Sequence, residues 1–291
     1  MMLQPNEIVA LVRLLDDDDR QVLEHVQDKL KSLGPEAIPA LEDIWAADLN
    51  ALQHQRLEAI IHDIQVADIR QELVRWSKGN QDLAYGFYLV SKYYFPEIRF
   101  EDLEKKIFKI RQTIWLELNY HQTPIEQIKV FNQVFYSYLG YMGQQIPEDP
   151  IKYCLPHIID KKEGSAVALG LLYQILARDL NLPVYGVRLA KYFVLAFTNT
   201  TINMEEPEVG KEGVLFYINP VNRGTLFSHK EISDYLKRMN LNERTKYFQP
   251  ANNVQLIEEL LLYLRDLAMF RQKDTESAEL NLLMSVFRLE E

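Results

Sequence analysis

The sequence predicts an α+β chain, mostly helical, with one small antiparallel sheet set between helical flanks. Three observations predict it. Apolar residues recur at spacings of three and four over most of the chain. Three short runs rich in Val, Tyr, Phe and Leu fall together between Val184 and Asn219. Breaks such as Gly34-Pro35 and Asn181-Leu182-Pro183 separate the helical stretches.

The elements follow in order. Ile8, Leu11, Val12 and Leu15 share one helical face, and Asp16–Asp19 then interrupts the apolar pattern. Clustered aspartates can hold calcium, but an EF-hand loop needs glycine and glutamate where this chain has Gln21 and Gln27. The cluster therefore reads as a solvated turn whose last aspartate caps the next helix. Val22, Val26, Leu30 and Leu33 form the second stripe, and Ile38, Leu41, Ile44 and Trp45 the third. The pattern recurs about 31 residues later, Val26 mapping to Leu57, Leu30 to Ile61, Ile38 to Ile69 and Trp45 to Trp76. Paired helices stacked side by side, resembling HEAT repeats, are expected over residues 1–78.

After Lys78-Gly79-Asn80 come three more stripes: Leu83, Phe87, Val90 and Tyr94; Leu103, Ile107, Ile110, Ile114 and Leu118; Val130, Val134, Tyr138 and Tyr141. Ser165 is a natural N-cap for a helix running to Leu180. Strands are expected at Val184–Leu189, Tyr192–Thr198 and Val214–Asn219, the first two as an antiparallel pair, with a long polar loop over Asn199–Gly213. Helices return from Lys230 to Met239, along Leu256, Leu260, Leu264 and Leu267, and along Leu280, Leu283 and Phe287. The last two resemble a TPR hairpin. Three domains are expected: residues 1–78, a core over 81–240, and the C-terminal hairpin over 241–291.

Composition bounds the function. The chain has 291 residues, 47% hydrophobic and 25% charged, a balance that supports a sizeable core. A formal net charge of −10 argues against nucleic acid as the main partner and against anionic lipid surfaces. The single cysteine, Cys154, excludes a disulfide scaffold. The N-terminus lacks a basic-then-apolar leader, and no uncharged apolar run approaches the length of about 20 residues that spans a bilayer. A cytoplasmic protein is expected. The six histidines show no metal-ligand spacing and no Gly-rich phosphate loop is present, so neither metal nor cofactor is expected.

A helix that starts just after glycine and is followed by antiparallel strands is the layout of papain-like thiol enzymes. The helix N-terminus stabilises a thiolate, and the strands present a His and an orienting Asp. The residues here carry a closer resemblance. Gly164-Ser165-Ala166-Val167-Ala168-Leu169, Ala177 to Val187, Tyr192-Phe193-Val194-Leu195 and Phe216-Tyr217-Ile218-Asn219-Pro220 with Gly224 resemble the transglutaminase-like core of the bacterial SirB-type proteins. The resemblance covers roughly residues 95 to 290 and implies a papain-like α+β core flanked by helical repeats.

It also assigns positions. The active transglutaminase pattern places its nucleophilic Cys on Ala166, a Cys that SirB-type proteins often lack too, while the family's His falls on Tyr192 and its Asp on Asn219. A methyl group has no lone pair, a phenol of pKa about 10 is a poor base at neutral pH, and an amide supplies no charge. The expected function is thus a non-catalytic, regulatory scaffold that binds a protein or peptide in the old cleft, lined by Ser165, Tyr173, Tyr192 and Asn219. The alternative is a hydrolase or acyl transferase using Ser165, or Cys154 paired with His157.

Overall fold

The computed structural model describes residues 5–46, 49–190, 192–199, 213–244 and 247–288. The polar loop expected over Asn199–Gly213 lies, apart from its two end residues, outside them. The chain divides into two compact units, Met1–Glu72 and Leu73–Glu291.

The first unit contains α1 (Pro5–Arg13), α2 (Arg20–Lys31), α3 (Ile38–Trp45) and most of α4 (Ala51–Lys78). Asp19 caps α2 by accepting from the Gln21 N–H at 2.8 Å. The apolar stripes meet in one core of Val12, Leu15, Val26, Leu30, Leu41, Leu57 and Ile60. Polar side chains tie the end of α1 and the turn after it to α4. Gln53 donates to the Arg13 carbonyl at 3.1 Å, and Arg56 donates to the carbonyl of Leu15. The second copy of the repeat differs from expectation. Where the first copy has two helices broken at Gly34-Pro35, the second is the single helix α4. Nothing between Ala51 and Lys78 is Gly or Pro, so no residue there stops the hydrogen-bond ladder. The matched tryptophans also part company: Trp45 is 43% exposed and Trp76 3%.

The second unit is built around one buried helix. Here α5 (Leu83–Ser91), α6 (Phe100–Trp115) and α7 (Pro124–Asn132) precede the short strand β1 (Met142–Gln144), α8 (Leu155–Lys161), β2 (Glu163–Ser165) and the central α9 (Ala166–Asp179). Every residue of α9 from Ala166 to Ala177 is buried. Then come β3 (Val184–Leu189), β4 (Tyr192–Thr198), β5 (Val214–Asn219), β6 (Thr225–Phe227), α10 (His229–Arg238), α11 (Asn253–Phe270) and α12 (Asp274–Met284). Strands β3 to β6 form an antiparallel meander in sequence order, and β1 pairs in parallel with β2. The C-terminal hairpin of α11 and α12 packs through α11 on α5 and α9.

Local chemistry starts these helices. Reciprocal capping boxes open α7 (Thr123 with Glu126), α10 (Ser228 with Glu231) and α11 (Asn252 with Gln255). The stripe Val130, Val134, Tyr138, Tyr141 breaks down for a local reason. Past α7 the chain continues as a π-helical turn, Gln133–Tyr138, with Leu139 N–H donating to the Val134 carbonyl at 2.8 Å. The wider turn rotates the stripe. Tyr136 is buried and Tyr138 is 77% exposed.

Candidate functional site

The N-terminus of α9 is sealed. Ser165 pairs in register with Gln144 across β1 and β2, and its Oγ accepts from the Ala168 N–H at 3.3 Å. Its side chain is fully buried, and Ala166 is 2% exposed. A Cβ on Gly164 would meet Ile158 Cγ1 at 2.7 Å, so glycine there lets α8 close over the tip. The hydroxyl is therefore a helix cap enclosed in protein, and the position next to it carries a methyl group.

The sheet has two faces, fixed by the alternation of side chains along each strand. Phe193 packs on α9: a Cβ on Gly170 would collide with the Phe193 ring, and one on Gly186 would meet it at 2.7 Å. Leu195 and Ile218, paired across β4 and β5, share that face. Val194, Ala196 and Tyr217 occupy the opposite face, where they form a core with Ile232 and Leu236 of α10. Tyr192 alternates with Phe193 and Asn219 with Ile218, so both point to the α10 side.

Tyr192 and Asn219 meet there in a cavity of about 330 Å³ with Val194, Phe227, Tyr235, Gln145 and Arg238. The rings of Tyr192 and Tyr235 lie edge to face, 5.6 Å apart. Their phenols share a hydrogen bond that, after burial, helps raise the Tyr235 pKa to about 12. Asn219 is engaged in a turn: its Oδ1 accepts from Val221 N–H at 2.9 Å and Asn222 N–H at 3.2 Å. An amide serves this turn without a carboxylate's charge. The Gln145 Nε2 is buried without a hydrogen-bond partner among the described residues.

The other two expected groove residues lie elsewhere. Ser165 is the buried cap described above. Tyr173 is fully buried, with its ring 4.2 Å from that of Phe131, and its hydroxyl donates to Asn132 Oδ1 at 3.0 Å. Asn132 Nδ2 in turn donates to the Gly224 carbonyl at 2.8 Å, so these residues tie α7, α9 and the β5–β6 turn together. The sequence reading missed Gln145, Tyr235 and Arg238, which reach the cavity from separate segments and carry no shared motif.

The alternative nucleophiles are equally enclosed. Cys154 is fully buried and its Sγ–H points to the Pro150 carbonyl at 3.6 Å. Burial, with Asp149 adding repulsion, pushes its thiol pKa far above the ordinary value, which suppresses the thiolate. The His157 Nε2 lies 3.5 Å from Glu163 Oε1, an oxygen that Lys152 Nζ approaches to 3.4 Å. Among the described residues no group of three or more His, Cys, Asp or Glu side chains is arranged to hold a metal. No described helix is long and apolar enough to cross a membrane.

Residues 101–261, more than half of the chain, match the family model of the transglutaminase-like superfamily. The chain belongs to this superfamily. No curated protein and no solved structure matches it. The matched stretch of this transglutaminase-like domain runs from α6 into α11, and contains α9, the meander and the Tyr192 cavity.

Proposed function

We propose that this member of the transglutaminase-like superfamily is a non-catalytic scaffold of the SirB type that binds a protein or peptide partner. HEAT-like helices precede its core and a TPR-like hairpin follows it. The observation that carries the reading is the N-terminus of α9: a buried methyl group at Ala166 beside a buried, capped hydroxyl at Ser165. A thiolate is the usual starting point for acyl transfer at such a helix end, and no sulfur stands there. The place for a partner's side chain or terminus is the Tyr192 cavity, walled by Tyr192, Val194, Phe227 and Tyr235. The Gln145 Nε2, without a hydrogen-bond partner among the described residues, offers a donor to a ligand carbonyl or carboxylate.

The test has two parts. The full chain is assayed for amidase, esterase and transamidase turnover beside Ser165→Ala and Cys154→Ala. No turnover above background is expected, and turnover that disappears in either variant overturns the reading in favour of a hydrolase or acyl transferase. Affinity capture is then run with the wild type and with Tyr235→Trp, whose larger ring fills the cavity. A specific partner held by the first and lost by the second is expected. A partner held equally by both removes the cavity from the proposal.

A further inference from the structure

A second cleft, of about 1070 Å³, opens between α5, α6 and the C-terminal turn of α9, at the far end of that helix from Ser165. It shares no lining residue with the Tyr192 cavity. Its wall carries four cations, Lys105, Lys109, Arg111 and Arg178, against three acids, Asp82, Glu104 and Asp179. In a chain of formal net charge −10 that is a local excess of positive charge.

Two of the cations are held in place by rings. The Arg178 guanidinium carbon lies 4.6 Å from the centre of the Tyr185 ring, and its Nη1 donates to the Tyr185 hydroxyl at 2.6 Å. Arg111 lies over Phe108 at 4.8 Å and 3.6 Å from Asp179. A guanidinium stacked on an aromatic face keeps its charge, while its orientation is settled before a ligand arrives. Such forks match the oxygens of a phosphate.

The acids are partly occupied. The Asp82 side chain caps α5, accepting from Tyr85 N–H at 2.8 Å. Asp179 faces Arg111, and burial together with Asp82 disfavours its ionised form. At the C-terminal end of α9 the Tyr120 hydroxyl donates to the Leu180 carbonyl at 3.3 Å, which occupies one of the carbonyls there. Lys105 is shared with Asp102 at 3.0 Å, whereas Lys109 has no carboxylate within ion-pair distance among the described residues.

We infer that this cleft binds a small phosphorylated molecule, its phosphate taken by Arg111 and Arg178 and its remainder lying along Tyr85, Phe100 and the Gln112 and Asn253 amides. A doubly charged phosphate gains more from a modest positive excess than a single carboxylate does.

Titration calorimetry of the full chain decides it, with AMP, pyrophosphate and citrate as probes at low and moderate salt. AMP or pyrophosphate is expected to bind with a Kd below about 1 mM, and more weakly as salt rises. Arg111→Gln and Arg178→Gln should each weaken binding about tenfold. Tyr185→Phe keeps the ring face and removes the hydroxyl, and should weaken it about threefold. Tyr138→Phe, at an exposed phenol that lines neither cavity, should leave it unchanged. Circular dichroism and melting checks that each variant folds, and the exposed Lys109→Gln, expected to weaken binding about threefold, serves if an arginine variant does not. Absence of heat with both phosphates, tighter binding of citrate than of either, or affinities untouched by the cation variants would overturn the proposal.

Discussion

The two faces of the four-stranded sheet are made by the same strands and have opposite characters. On the α9 face, Phe193 fills the space left by Gly170 and Gly186, and Phe197 stacks on Phe216 with ring centres 5.1 Å apart. On the α10 face, Tyr192 and Asn219 border a cavity of about 330 Å³. The α9 face is closed by shape, whereas the α10 face has an apolar core and opens at the edge lined by Tyr192 and Asn219. On that side the Tyr192 phenol pairs with Tyr235, and the Asn219 amide closes a turn.

The largest expected effect tests the closed face. Gly170→Val drives a branched side chain into Phe193 and should cost about 3 kcal/mol in urea unfolding. Tyr235→Trp on the open face should cost less than about 1 kcal/mol, because the cavity accepts the added volume. Equal costs would break the contrast between the faces.

Next comes the turn beyond Asn219. Gly224 has φ +69° and lies so close to Asn132 that a methyl group would overlap its side-chain amide. Gly224→Ala should destabilise the chain by about 2 kcal/mol by the same measurement. Asn219→Ala removes the acceptor of two backbone N–H groups and should cost about 1–2 kcal/mol. Asn219→Asp keeps that acceptor and should stay within about 0.5 kcal/mol of the wild type. If the Ala and Asp variants behave alike, the turn does not explain this residue.

The smallest effect is a titration. The Tyr235 pKa is raised from 10.0 to about 12, first by burial and then by the hydrogen bond with Tyr192. A raised folded-state pKa means that the fold favours the neutral phenol. That contribution to stability is complete below pH 10 and is lost as pH rises through about 12. In Tyr192→Phe the midpoint should fall back toward the ordinary value and the alkaline loss of stability should become shallower. Tyrosinate absorbance, differenced against Tyr235→Phe, isolates this one group among the 16 tyrosines. An unchanged midpoint would remove the shared hydrogen bond from the account.

Much of the fold was legible. Strands β3, β4 and β5 occupy the three runs read from their composition, because β-branched and aromatic residues there are bounded by Pro183, a short loop and Pro220. The central helix was legible from Ser165 at one end and Asn181 to Pro183 at the other. The strands β1, β2 and β6 were not, since three residues carry no readable period and β1 finds its partner only through a contact distant in sequence. Tyr138 was misplaced because one π-helical turn shifts a helical stripe. Of the four expected groove residues, Tyr192 and Asn219 share a cavity. Ser165 and Tyr173 are buried within α9's packing, a distinction that motif order does not carry.

By itself the sequence determined which atoms are available: a methyl at 166, a phenol at 192, an amide at 219, and a lone thiol at 154. Local patterning also determined where most helices and the principal strands begin and end, because caps, prolines and side-chain period act over a few residues. Only the tertiary structure decided what those atoms face. Alternate residues of a strand point to opposite sides, so the side on which a helix packs settles which residue meets it. Here α9 lies against Phe193 and leaves Tyr192 to α10.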